Sequence, residues 1–315
     1  MITVEHLTKR YRSQLAVDDV SFVAPDGQVT GFVGPNGAGK STTMRVIVSL
    51  HRPSSGTCLI DGRPFVQLDA PMTHVGVLLD AGNVHPGRTA RQHLNALAAT
   101  HGLPRTRVDE VLDLVGLAGV ARRRLRGFSL GMSQRLGVAV ALLGNPRNLI
   151  LDEPINGLDP EGVVWMRDLL HFLAGQGRAV LVSSHLLGEM AHTADRIVAI
   201  GRGRLLADAP MAELLERISE PWVQVRTPAP EAFRDALAGV SGARVEPGED
   251  GALVVRGASA AQVGECAAAG GVALHELVPR ALSLEDAFLR LTHDSVAYRQ
   301  RPVDTSAVPT EETSA

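Results

Sequence analysis

A chain of 315 residues, 45% hydrophobic and only 3% aromatic, is long enough for about two domains and must build its cores from aliphatic side chains. Its 31 Lys+Arg against 34 Asp+Glu give a formal net charge of -3, too balanced for a general polyanion-binding field, so nucleic acid is not expected as a partner. Cys58 and Cys266 stand far apart without C-x-x-C spacing, which excludes a disulfide framework or a cysteine zinc site, leaves packing as their role and fits a reducing cytosol.

The opening Met-Ile-Thr-Val-Glu has no basic stretch followed by an apolar run, so no signal peptide is expected. Val29 to Val33 reads as an aliphatic strand and runs into Gly34-Pro35-Asn36-Gly37-Ala38-Gly39-Lys40-Ser41, a G-x-x-x-x-G-K-S P-loop, with Thr42 opening the helix beyond. Glycines let such a loop fold tightly so that successive N–H groups point at phosphate oxygens, and the following helix end adds a positive dipole. Lys40 reaches the β and γ phosphates and Ser41 offers its hydroxyl to Mg²⁺. A second strand, Val75 to Leu79, ends at Asp80-Ala81-Gly82-Asn83. Arg88 to Gly116 has a helical pattern broken at Gly102-Leu103-Pro104 and opens an inserted helical lobe spanning about residues 88–145. Within it Arg122-Arg123-Arg124-Leu125-Arg126 is the one dense basic run; without aromatic interleaving it reads as a solvated helix end and not as a nucleic-acid surface. The apolar stretch Leu136 to Gly144 falls well short of the about 20 residues of a membrane-spanning helix.

Leu149 to Asp152 is a third strand, and it delivers Asp152 and Glu153 just before Pro154. Alternation along a strand puts the two side chains on opposite faces and gives them different tasks: Asp152 on the Mg²⁺ side, Glu153 orienting or deprotonating the attacking water. Taken alone, the pair reads equally well as a solvated turn. With the strands Ala179 to Ser183 and Arg196 to Ile200, the chain predicts a mostly parallel sheet packed by helices, an α/β class. After Glu220-Pro221 the texture changes to strand, helix, strand, strand, helix, strand: Trp222 to Arg226, Pro230 to Leu237, Arg244 to Pro247, Leu253 to Val255, Ala258 to Ala269 and Val272 to Leu277, the order of a small ferredoxin-like α+β unit. A last helix, Leu284 to Leu291, is expected to dock through Leu284, Ala287, Phe288 and Leu291, and the polar stretch 293–315 is expected to be a disordered tail.

The P-loop, Phe128-Ser129-Leu130-Gly131-Met132 before a helix, the acidic pair, Asn156-Gly157-Leu158-Asp159 after it, and His185 after the fourth strand together resemble the ABC ATPases, in the right order over roughly residues 1–218. That resemblance implies a P-loop ABC ATPase core over 1–218 with its helical lobe, an accessory domain over 219–292 and the tail. It implies that Ser129 and Gly131 meet the ATP held by an opposite subunit, that Asp159 joins the nucleotide-binding set, and that His185 touches the γ-phosphate. Tyr11 stands where the family places an aromatic residue on adenine; otherwise it is a half-buried core tyrosine. The signature departs from the family in Leu130 and Met132, a variant similar to the daunorubicin-resistance drug-export ATPases. Asp80 replaces a glutamine of the family, and serves either as an outer contact of Mg²⁺ or only as a cap of its loop.

The same resemblance implies an ATP- and Mg²⁺-dependent ATPase that dimerises around two nucleotides. It would drive export of a drug or other small molecule through a separately encoded membrane permease, from the cytoplasmic face of the membrane. The alternative is a soluble ABC ATPase that remodels or regulates another assembly; the single P-loop and the short span from Lys40 to Ser129 weigh against it.

Overall fold

The structure, a computed structural model, describes residues 1–280 except 13, 83, 186 and 219–221. The expected helix Leu284 to Leu291 and the expected tail 293–315 lie outside the described residues.

The first half runs β1 (Ile2–Tyr11), β2 (Gln14–Ala24), β3 (Val29–Val33), α1 (Lys40–Ile47), β4 (Ser55–Ile60), α2 (Pro71–His74), β5 (Val75–Leu78), α3 (Ala90–Thr100), α4 (Thr106–Leu114) and α5 (Leu130–Leu142). The second half of the large domain continues with β6 (Asn148–Leu151), α6 (Pro160–Gly175), β7 (Ala179–Ser184), α7 (Leu187–Ala191), β8 (Arg196–Gly201), β9 (Arg204–Pro210) and α8 (Met211–Ile218). The C-terminal unit is β10 (Trp222–Arg226), α9 (Pro230–Leu237), β11 (Arg244–Pro247), β12 (Leu253–Arg256), α10 (Ala260–Ala269) and β13 (Glu276–Arg280).

A six-stranded sheet in the order β5-β6-β7-β3-β8-β9 forms the centre, parallel throughout except for the β8–β9 pair. Strands covered on both faces need apolar side chains at every position. That is why β3, β6 and β7 are buried residue after residue. A three-stranded antiparallel sheet, β2-β1-β4, packs beside it. Phe22 and Phe32, stacked with centroids 5.2 Å apart, join the two sheets in one core with Met44 and Ile47 of α1.

Helices α3, α4 and α5 form the lobe, and α5 returns it to the sheet edge. The approach needs a glycine: a Cβ on Gly76 of β5 would stand 1.9 Å from the Ala141 carbonyl oxygen. The basic run is not a helix end. Its exposed arginines lie on a loop pinned to the 86–89 segment, with Leu125 N–H donating to Arg88 O at 2.9 Å and Arg126 N–H to Pro86 O at 3.1 Å.

The C-terminal unit has its own core of Val223, Val225, Leu253 and Val255 under Phe233, Leu237, Val263 and Ala267. Its antiparallel sheet runs β11-β12-β10-β13, the strand order of a split βαββαβ unit. The last strand starts later than the expected Val272. Residues after α10 are spent on ending that helix, Val272 N–H donating to Ala267 O at 2.8 Å, and pairing resumes only where His275 N–H meets Arg226 O at 2.7 Å.

Helix α8 inserts Met211 and Leu214 into the core of the large domain, which supports the expected boundary near residue 218. A chain ending near Arg217 should bind a fluorescent ATP analogue as the full chain does; loss of binding would contradict a boundary there.

Candidate active site

The P-loop is held by backbone contacts that tolerate no side chain at two points. A Cβ on Gly34 would lie 2.3 Å from the Ile200 carbonyl oxygen. Gly39, which starts α1, has φ 110° and ψ 1°, outside the range other residues adopt, and faces the Ala16 carbonyl oxygen. The loop opens on a cavity of about 470 Å³ lined by Tyr11, Gln14, Leu15, Ala16, the run from Pro35 to Thr42, Glu153 and Arg202.

Lys40 is buried, and its ammonium donates to the Gly34 carbonyl at 2.6 Å. Burial pushes its pKa below the ordinary value; Glu153, with Oε1 3.5 Å from Nζ, and then Asp152 oppose that shift. The carboxylate therefore works against the burial that disfavours the lysine's charge.

Strand β6 stops at Leu151, one residue short of Asp152, so strand alternation does not divide the acidic pair. A turn does. Asp152 N–H donates to the Leu78 carbonyl at 2.7 Å, and Glu153 takes a left-handed φ of 49°. Buried Ser183 sits between them: its hydroxyl donates to Asp152 Oδ1 at 2.5 Å and accepts the Glu153 N–H at 2.9 Å. Glu153 thereby points at Lys40 on one side and at His185 on the other, its Oε2 2.9 Å from His185 Nδ1. Glu189 completes the group: burial raises its carboxyl pKa, His185 counteracts, and Glu153 adds to the rise.

Among the described residues no three His, Cys, Asp or Glu side chains gather to hold a metal by themselves. The Ser41 hydroxyl lines the cavity and Asp152 lies next to Glu153 in sequence; both offer oxygen donors, the chemistry that suits Mg²⁺. Asp80 Oδ1 accepts the Gly82 N–H at 2.8 Å, which is the loop-capping geometry.

Tyr11 is 37% exposed on the cavity rim, so it is not a core tyrosine. Its hydroxyl meets His51 Nδ1 at 2.5 Å and Lys9 Nζ lies 4.7 Å from its ring centroid. Ser129, Gly131 and Asp159 do not line this cavity. Ser129 caps α5 by accepting the Met132 N–H, and Asp159 caps α6 by accepting the Gly162 N–H at 2.8 Å. A Cβ on Gly131 would meet nothing within this chain nearer than 3.5 Å, so packing here does not demand its glycine. Leu130, 65% exposed, reaches over Gly157, where a Cβ would stand 2.1 Å from its Cδ2.

Four residues of the site carry little or no sequence signal. Ser183 and Glu189 have no motif beyond a polar end to a buried strand and an acid on a short helix. Gln134 donates to the Glu153 carbonyl at 3.0 Å from α5, and Arg202 lines the cavity from the β8–β9 turn. Only the turn had a signal, the Arg202-Gly203 pair with both φ positive.

The family profile described as ABC transporter matches residues 17–156, and a second, described as a domain of unknown function (DUF8746), matches 221–285. The chain is similar to the bacitracin transport ATP-binding protein BcrA of Bacillus licheniformis, 40% identical over 69% of this chain and 72% of the relative. To the ABC transporter ATP-binding protein YdbJ of Bacillus subtilis (strain 168) it is 32% identical over 93% of this chain and 95% of the relative. A solved structure of an ATP-binding subunit of an ABC transporter superposes with a TM-score of 0.63 at 26% identity, over 69% of this chain and 92% of that one.

Proposed function

The chain belongs to the ABC transporter ATP-binding proteins, and from that membership we propose that two copies close around two ATP molecules to drive export of a drug or other small molecule through a separate membrane permease. The ATPase activity belongs to the family; the dimer, the permease, the cytoplasmic membrane face and the exported class are our reading. The observation that carries it is the division of the site. Lys40 and Glu153 line one cavity and His185 bonds Glu153, while Ser129, Gly131 and Asp159 neither line it nor bond those residues, and the glycine at 131 is unexplained by contacts among the described residues. A second copy that brings its Ser129 and Gly131 onto the nucleotide gives that glycine a reason: a phosphate can approach the bare backbone.

In this reading the amides from Gly37 to Thr42 hold the phosphates, and Lys40 leaves the Gly34 carbonyl to neutralise the β and γ oxygens. Ser41 and Asp152 hold Mg²⁺, which supplies charge neutralisation when bound. Glu153 takes the proton of the attacking water, and His185 fixes the carboxylate's orientation and can turn to the γ-phosphate. Tyr11 stacks on adenine. Asp80 caps its loop through Oδ1, a bond compatible with both of its expected roles, the loop cap and the outer contact of Mg²⁺. Export of a drug or other small molecule is favoured over a remodelling role by the likeness to a relative named for bacitracin transport.

Shared sites can be tested by mixing. Lys40→Ala and Ser129→Arg each spoil both sites of their own dimer, but a mixed dimer keeps one intact site. An equimolar mixture should recover about a quarter of parental turnover, as random pairing of a two-fold dimer requires. A mixture no more active than either variant alone counts against sites built from two copies.

A further inference from the structure

The register of the C-terminal sheet aligns charges that the ATPase site does not use. Arg244 of β11 pairs with Arg256 of β12, Arg256 with Trp222 of β10, and Trp222 with Arg280 of β13. Val223, Val225, Leu253 and Val255 fill the helix-covered face, so alternation sends this whole row, three arginines and a tryptophan, to the opposite face. Two arginines directly opposite each other on neighbouring strands repel. Their only nearby counter-charge among the described residues is Glu246, half exposed, with Oε2 3.5 Å from Arg256 Nε. Among the described residues Arg244 and Arg280 have no ion pair.

Arg244 and Arg256 also line a cavity of about 510 Å³. Its floor depends on a backbone crossing: Gly257, at φ 75°, lies so close to Gly242 that a Cβ would be 2.1 Å from the Gly242 carbonyl oxygen. Ser259 at the cavity wall is spent on capping α10 together with Gln262, so the arginines and not the helix end supply the charge. Two arginines lining one half-open cavity, with a surplus of positive charge that the described residues do not neutralise, match a tetrahedral dianion better than a single carboxylate.

We infer that Arg244 and Arg256, extended by Trp222 and Arg280, form a phosphate-binding site in the C-terminal domain, separate from the P-loop. The site takes a phosphate group, carried by a soluble monoester or inorganic phosphate or by a lipid headgroup.

Trp222 reports on it. In the full chain with Trp165→Phe, the remaining tryptophan is at the site and not at the nucleotide cavity, so its fluorescence separates the two. Inorganic phosphate, glycerol phosphate and vesicles containing phosphatidic acid, whose headgroup is a phosphomonoester, are titrated at constant ionic strength. A saturable change is expected, weakened roughly tenfold or more in Arg244→Gln/Arg256→Gln, with ligand-free ATPase activity retained. Arg244→Lys/Arg256→Lys, which keeps charge but loses the forks, should bind at intermediate strength. Saturation by the free phosphates identifies a soluble ligand, and saturation by vesicles alone identifies a lipid; both uphold the site. It is overturned if chloride or polyglutamate gives the same response, if no titration saturates, or if the glutamine pair responds like the parent. Because ATPase activity is read in parallel, its loss in the parent would bear on the ATPase assignment and not on this site.

Discussion

Lys40→Ala should lower ATP turnover on the order of 10²- to 10³-fold, the usual cost of removing one preorganised charge from a developing anion. In the nucleotide-free chain the ammonium is buried, bonded to the Gly34 carbonyl and 3.5 Å from Glu153. Alanine removes the one side-chain cation among the P-loop residues that line the cavity. The fold should persist. The backbone geometry of the loop rests on Gly34 and Gly39, not on the lysine, and burial already disfavours the charged side chain. Glu153 keeps His185 as a partner. Circular dichroism and melting should therefore match the parent while turnover at saturating Mg²⁺-ATP collapses. Parental turnover in this variant would remove Lys40 from the site.

Much of this site was legible because its parts are local. A P-loop is eight consecutive residues whose glycines have one purpose, and β3 and β6 announce themselves as unbroken apolar runs. What the sequence hid depends on contacts between distant segments. Ser183 bridges Asp152 and Glu153 from 30 residues away, and nothing in Ser183-Ser184 marks which hydroxyl joins the two acids. The left-handed turn at Glu153 was hidden too, because strand periodicity describes residues inside a strand and β6 ends before the pair. The final strand was misplaced because Val272 and Leu274 look like strand residues, whereas the end of α10 had first claim on the Val272 amide. The arginine row emerges only from strand register, in which four residues from four strands become neighbours.

The structure also connects the signature helix to the catalytic carboxylate. Gln134 of α5 donates to the Glu153 carbonyl, and Leu130 at the helix start covers Gly157 in the loop after the acidic pair. In the proposed dimer, a nucleotide meeting Ser129 would bear on the helix that bonds the Glu153 carbonyl.

Glu153→Gln should leave ATP binding intact, cut turnover by about 10²- to 10⁴-fold, the range for loss of a general base, and accumulate a closed dimer. The amide is the same size and can still bond His185 Nδ1, now 2.9 Å from Oε2, so the turn at residue 153 and its Ser183 bond should survive. What goes is the negative charge. Without it Lys40 loses its nearest anion and is freer to leave the Gly34 carbonyl for the phosphates, and a carboxylate no longer faces a triphosphate across the cavity. Both changes favour the bound state, so affinity for ATP should rise rather than fall. The water, however, has no base, and the state that hydrolysis would open remains shut. Gel filtration in Mg²⁺-ATP should show the doubled mass for Glu153→Gln and a transient or smaller dimer fraction for the parent, and removing ATP should return both to monomer. A variant that stays monomeric at saturating ATP, or that hydrolyses ATP at the parental rate, would take the base assignment away from Glu153.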